Sequence, residues 1–296
     1  MNEILKENLQ GLEGYLTSRV IGQGDAIPRI SRAIQAAECD LNDTGPRPKG
    51  AFLFMGSRGI GKTETAKAFT EYIFGYSKLT MFFMNELQSP DDASELVGMI
   101  RQAVSEHPKG TTLLFDEIEK AHRSIIDIFI SLLDEGVVTD VDGSRISVHD
   151  CYVVMTSNIG ASRWAAMERT LYSRMEGFAF EQARKVLRPE LFNRLTETIV
   201  FRPLSQTVQI DILKGMLGKK LAHLEPRLGK RPLFVDERAN AHLLRKCFTA
   251  TEGARRLRQE LDRQMNLAAL PWMLQKQPPE EGRFCYDAKS DQLVLR

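Results

Sequence analysis

Residues 56–63 read GSRGIGKT and match the phosphate-loop pattern G-x-x-x-x-G-K-[ST]. Glycines let such a loop curl so that its backbone N–H groups face phosphate oxygens. The helix that follows adds the positive end of its dipole. Lys62 would neutralise the β- and γ-phosphates of ATP, and the Thr63 hydroxyl would bind Mg²⁺. Gly56, Gly59, Ile60, Gly61, Lys62, Thr63 and Glu64 are therefore expected to hold the nucleotide. The competing reading is a glycine-rich turn without chemistry. The apolar run AFLFM before the loop and the helical pattern after it favour the phosphate reading.

A second group lies in TTLLFDE, residues 111–117, where an apolar run ends in Asp116 and Glu117. Two acids there fit a plain strand end with a helix cap. They also fit a catalytic pair: Asp116 holding Mg²⁺ through its water shell, and Glu117 accepting the proton of an attacking water. In open α/β sheets ligands bind beyond the carboxyl ends of the strands. Beside a phosphate loop, the catalytic reading is the stronger.

These groups need a scaffold, and the apolar runs supply one. AFLFM (51–55), TTLLFDE (111–117), CYVVMTSN (151–158) and TIVFRPL (198–204) read as buried strands. Helical segments separate them at Glu64–Phe74, Asp91–Ser105 and Ser124–Asp134. That alternation predicts an α/β fold, a three-layer sandwich around a parallel sheet. Leu9, Leu12 and Leu16 mark an amphipathic first helix, and Asp25 is expected to cap a second over 26–39. After Pro203 the segments 206–222, 236–248 and 253–270 read as helices, and the last residues as a hairpin turning at 287–291. The predicted domains are a nucleotide-binding α/β domain over 1–203 and a small, mainly helical lid over 204–296. LAALPWML (267–274) reads as lid core, with partner docking as the alternative.

Composition excludes other classes. The 296 residues carry 40 basic and 39 acidic side chains, net +1, with 43% hydrophobic and 27% charged residues, a globular balance. No run approaches the roughly 20 apolar residues of a membrane span. The start carries no signal-peptide pattern, and four scattered cysteines with no CxxC pair suit a reducing cytosol. The chain is expected to be soluble and cytoplasmic, without membrane insertion. Five histidines show no metal-ligand spacing and read as surface or helix-end residues. Residues 204–296 carry net +6 and the preceding 203 net −5. Solvated helix faces, a nucleic-acid surface or a head-to-tail contact between subunits would each account for that.

Taken together, GSRGIGKT, LLFDEIEKAH, VVMTSNIGAS, RPELFNR and GARRL resemble, in this order, the Clp-type AAA+ ATPases. The nearest likeness is to the second ATPase module of the Clp disaggregases and unfoldases, from about residue 15 onward. The resemblance implies the AAA+ fold with its helical lid. It implies that Val20 and Ile21 pack on the adenine and that Asn158 orients the attacking water near the γ-phosphate. It also implies that Arg194 is an arginine finger reaching a neighbouring subunit's ATP, and that Arg255 is the second sensor, with Arg256 adjacent as the alternative. A finger acting in trans implies a ring or helical homo-oligomer with head-to-tail interfaces.

One family feature is missing. Clp unfoldases carry an aromatic, glycine-flanked gripping loop between the phosphate-loop helix and the acidic strand, and here no aromatic lies between Phe83 and Phe115. A second pore segment over 135–150, turning at Asp142-Gly143, also lacks an aromatic. The sequence corresponds to one module, without the family's N-terminal substrate domain or first ATPase module, and reads as a stand-alone motor body. The expected function is ATP-driven remodelling of a protein partner, without full threading. The alternatives are an ATP-switched assembly factor and, less favoured because net charge is only +1, a nucleic-acid-handling ATPase.

Overall fold

The computed structural model describes residues 3–41, 45–229, 232–247, 253–275 and 282–296. By contacts the chain divides into two units, Met1–Pro203 and Leu204–Arg296.

The first unit runs α1 (Glu3–Arg19), α2 (Ala26–Glu38), β1 (Gly50–Met55), α3 (Lys62–Phe74), β2 (Leu79–Phe83), α4 (Asp92–Glu106) and β3 (Thr112–Asp116). It continues with α5 (Arg123–Glu135), β4 (Val137–Thr139), β5 (Arg145–Ser147), β6 (Tyr152–Ser157), α6 (Ala161–Trp164), α7 (Tyr172–Val186), α8 (Pro189–Phe192) and β7 (Glu197–Val200). Five strands form an all-parallel sheet in the order β2-β3-β6-β1-β7. Every residue of β1 and β6 is buried, as central strands covered on both faces require. Leu53 and Met55 of β1 face one core layer, with Leu96 and Ile100 of α4, Phe129 of α5 and Met175 of α7. Phe52 and Phe54 point the other way, where Phe52 meets Phe69 of α3 and Phe54 meets Phe201. The result is the three-layer α/β sandwich that the strand–helix alternation predicts.

β2 and α7 are the longest of the elements that have no counterpart in the sequence reading. β2, LTMFF, is a short edge strand with only Phe82 fully buried, so its apolar signal is weak. α7 buries Met175, Ala179 and Ala183, and alanines mark a buried stripe poorly. A third difference concerns Asp25. It makes no side-chain cap bond to α2, because Arg202 takes its carboxylate in an ion pair beside β7. β7 itself ends at Val200, short of the expected 204, and only Phe201 N–H extends its pairing, to Met55 O. β4 and β5 form the expected hairpin, and Arg101 of α4 ion-pairs with Asp140 and Asp142 at its tip.

The second unit contains α9 (Gln206–Leu224), β8 (Phe234–Val235), α10 (Glu237–Cys247), α11 (Gly253–Gln275), β9 (Arg283–Asp287) and β10 (Gln292–Leu295). The expected helix end at residue 248 lies outside the described residues. β9 and β10 pair as the expected hairpin, and β8 adds a third strand in parallel. The core gathers Leu213, Leu243, Leu257, Leu261, Met265 and Phe284. LAALPWML divides between two faces of α11. Ala268 and Ala269 are buried and Trp272 donates to Leu295 O at 2.7 Å, whereas Leu267, Leu270, Met273 and Leu274 are exposed.

All four cysteines are unpaired, and burial pushes the Cys151 and Cys247 thiols up to about 12. Among the described residues no helix is long and apolar enough to cross a membrane, and no three or more His, Cys, Asp or Glu side chains gather as a metal-ligand cluster.

His242 departs from the surface role expected of it. It is 3% exposed and stacks on Tyr286 at 4.6 Å. Burial lowers its pKa below the ordinary 6.5, with nearby Arg245 and Lys246 adding to this and Asp291 opposing it. Below 6.5 the unfolded chain therefore binds more protons than the folded one, so stability is full above that pH and declines as pH falls. Hydrogen exchange of residues 204–296 should show weakening protection from about pH 7.5 to about pH 5, and His242→Phe should flatten that slope. An unchanged slope in the variant would contradict the assignment.

Candidate functional site

The parallel order sets three strand ends side by side, since β1 lies next to β6 and β6 next to β3. Beyond β1 comes the loop 56–61, β3 ends in Asp116 with Glu117 just after it, and beyond β6 comes Asn158. Register alone thus brings together groups far apart in sequence.

The loop adopts the backbone its glycines permit, with φ of +145° at Gly56, +70° at Gly59 and +113° at Gly61. A Cβ at Gly61 would sit 2.9 Å from Val20 Cγ1, and one at Gly56 would sit 2.5 Å from Ile60 Cδ1. Val20 is therefore packed directly on the loop, with Ile21 half-buried after it. α3 begins at Lys62, two residues earlier than the sequence pattern indicates.

Lys62 is buried, and its ammonium donates to Gly56 O at 2.6 Å, Ser57 O at 2.7 Å and Asn158 Oδ1 at 2.8 Å. Desolvation lowers its pKa to about 8, against the pull of Asp116, Glu119 and Glu117. A cation largely stripped of water at the start of a helix is poised for an anion. Asn158 passes the contact on, its Nδ2 donating to Glu117 Oε1 at 2.7 Å. Asp116 Oδ1 accepts from Thr156 Oγ1 at 2.6 Å, and Thr156 Oγ1 accepts from Glu117 N at 3.1 Å. Glu117 holds φ +58°, a left-handed conformation that costs a non-glycine residue energy and recurs where a side chain must be aimed. Thr63 and Glu64 occupy the first turn of α3, with Glu64 turned to Arg19 at 3.4 Å.

The structure adds residues that the sequence reading did not assign. Gln23 is buried and fastens the loop: its Nε2 donates to Ile60 O at 2.9 Å and Arg202 O at 3.0 Å, and its Oε1 accepts from Arg202 N at 2.9 Å. Glu119 accepts from Asn158 N at 3.0 Å through Oε1, while its Oε2 is buried with no partner. Arg58 reaches from the loop to Glu117, with Nη2 at 2.8 Å and Nε at 3.2 Å. No spacing rule marks these three, because their partners are backbone atoms or lie just past the ends of other strands.

Arg194 stands apart from the cluster. It bonds Asp134 at 3.0 Å and Glu190 O at 2.8 Å, and its Nε is buried with no partner. Asp134, which also meets Arg47, is held below the usual carboxylate range by the Arg194 hydrogen bond. Two residues on, Thr196 N–H donates to Ala51 O at 2.8 Å, anchoring this segment near the start of β1. The phosphate-loop segment leaves the other end of β1, roughly 15 Å of strand away. Arg255, in the second unit, is exposed near the start of α11, as are Arg256 and Arg258.

Residues 47–198 match a family described as AAA domain (Cdc48 subfamily). The chain is 30% identical to chaperone protein ClpB 1 of Synechocystis sp., covering all of this chain and 34% of that protein. It is 31% identical to the chloroplastic chaperone protein ClpC2 of Arabidopsis thaliana, over 96% of this chain and 32% of that one. It thus spans about a third of the length of these relatives. A closed-state cryo-EM structure of Hsp104 with ATPγS and FITC casein superposes with a TM-score of 0.83 at 25% identity, covering 100% of this chain and 52% of that one.

Gln23→Ala would strand Ile60 O and both backbone groups of Arg202, an expected loss of about 2–4 kcal/mol in denaturant titration, with weaker nucleotide binding. Wild-type stability and affinity in that variant would contradict the fastening role.

Proposed function

Because the chain belongs to the Clp-type AAA+ ATPases, we propose that it binds ATP with Mg²⁺ and hydrolyses it to remodel a protein partner as a head-to-tail oligomer. The observation that carries this reading is the hydrogen-bonded path from Lys62 through Asn158 to Glu117 beyond the carboxyl edge of the sheet. The buried ammonium and the positive-φ glycines fit a phosphate chain, with the first residues of α3 beside it. Thr63 and Asp116 would hold Mg²⁺, which neutralises phosphate charge. Asn158 orients the attacking water. Glu117 takes its proton as the oxygen bonds the γ-phosphorus and the bond to the β,γ-bridging oxygen breaks.

Arg194 would complete the site of an adjacent subunit, supplying a guanidinium for the transition-state charge. Its anchoring near the far end of β1 supports that role, because its own loop is beyond reach. Met1–Pro203 would be the nucleotide-binding domain and Leu204–Arg296 the lid, with Val20 and Ile21 on the adenine and Arg255 as second sensor. Four unpaired thiols suit the reducing cytoplasm as the working compartment.

The lack of any aromatic between Phe83 and Phe115, and in the hairpin 135–150, supports remodelling without full threading. A gripping loop uses aromatic contact area. The same observation leaves an ATP-switched assembly factor as the second reading. Nucleic-acid handling is less favoured at net +1.

Glu117→Gln is expected to bind ATP at least as tightly as wild type, to hydrolyse it at least about 100-fold more slowly, and to hold its oligomer and partner. Turnover by phosphate release and mass by sedimentation check this. Wild-type turnover would overturn the catalytic assignment, and full wild-type activity in a strict monomer would overturn the trans role of Arg194.

A further inference from the structure

In the phosphate-loop pattern position 58 is free to be any residue, so the motif assigns it nothing. Here it is an arginine whose Nη2 and Nε both donate to Glu117 Oε1, at 2.8 and 3.2 Å. Asn158 Nδ2 donates to the same oxygen at 2.7 Å. A carboxylate oxygen has two lone pairs, and three donors leave it none for the proton of water. In this arrangement that oxygen of the group read as the base is occupied.

The hold is easily released. The Arg58 side chain is 71% exposed, and ion pairs in that setting are weak. Arg58 also belongs to the loop expected to carry the phosphates, so its guanidinium can turn from Glu117 to a phosphate while its backbone stays in place. The γ-phosphate of a triphosphate carries more charge than a carboxylate and accepts a guanidinium through two parallel hydrogen bonds. ADP lacks that group.

We propose that Arg58 is a positioning residue that clamps Glu117 in the nucleotide-free and ADP states and transfers to the terminal phosphate of a nucleoside triphosphate, freeing the carboxylate only when there is a bond to cleave. This rests on the reading of Glu117 as the base. It adds a device by which triphosphate and diphosphate are told apart within one subunit. Asn158 keeps its own bond to Glu117 throughout, so the carboxylate stays aimed after the clamp opens.

The test is a double-mutant cycle on binding, with fluorescent ATPγS and ADP as probes and the full chain as the protein. Arg58→Gln should weaken ATPγS about tenfold and leave ADP within about twofold. Glu117→Gln removes the carboxylate that competes for the guanidinium, so it should tighten ATPγS several-fold. That gain should vanish when Arg58→Gln is also present. Arg58→Lys, which keeps the charge without the fork, should fall between wild type and Arg58→Gln. Equal weakening of both nucleotides by Arg58→Gln would overturn the proposal, since Arg58 would then be a general phosphate cation. Strictly additive effects would overturn it as well. Failure of the base reading is seen separately, as wild-type turnover in Glu117→Gln, and does not affect a cycle that reads binding alone.

Discussion

The site is organised around one buried ammonium. Lys62 has lost most of its water, and three oxygens, two from the loop and one from Asn158, replace it. That solution is available only if the loop carbonyls turn inward, which needs the positive φ of Gly56, Gly59 and Gly61. It also needs β6 beside β1, so that Asn158 arrives at the right height, and β3 beside β6, so that Asp116 and Glu117 complete the charge balance. The burial of β1 and β6 on both faces holds these strand ends in place. The fold and the chemistry meet in that one requirement.

What was legible in the sequence is what phosphate chemistry and burial dictate locally. The loop pattern, the acids ending an apolar run, and the apolar strands themselves are short-range signals with fixed spacing. What was not legible depends on the third dimension. Gln23 fastens the loop through backbone atoms of Ile60 and Arg202, and a lone glutamine announces nothing. Asp25 has the residue type of a helix cap, but an arginine far along the chain takes its carboxylate. His242 looked like a surface residue because its burial comes from Tyr286 on β9. Arg58 occupies a position the motif leaves open, and its partner lies just past the end of β3. Arg255, Val20, Ile21 and the trans role of Arg194 came from family resemblance rather than from spacing.

The two ends of β1 carry different parts of the proposed chemistry. The phosphate loop leaves one end, and Arg194 is anchored near the other, tied to Asp134 and Glu190. A guanidinium proposed to act in the transition state, and held at the far end of its own sheet, would serve another chain. That geometry accords with heterologous association, in which each subunit offers one face as acceptor and the other as donor. The −5 and +6 charges of the two parts of the chain suit such a contact.

The central claim is that the cluster around Lys62 and Glu117 is an ATPase site completed by the Arg194 of a neighbour. Mixing two inactive proteins tests it most directly: Glu117→Gln, which keeps the arginine, and Arg194→Ala, which keeps the carboxylate. Random co-assembly in equal amounts pairs an intact base with an intact arginine at about a quarter of the interfaces, so phosphate release should recover to about that fraction of wild type. A mixture as inactive as its two components would contradict the account.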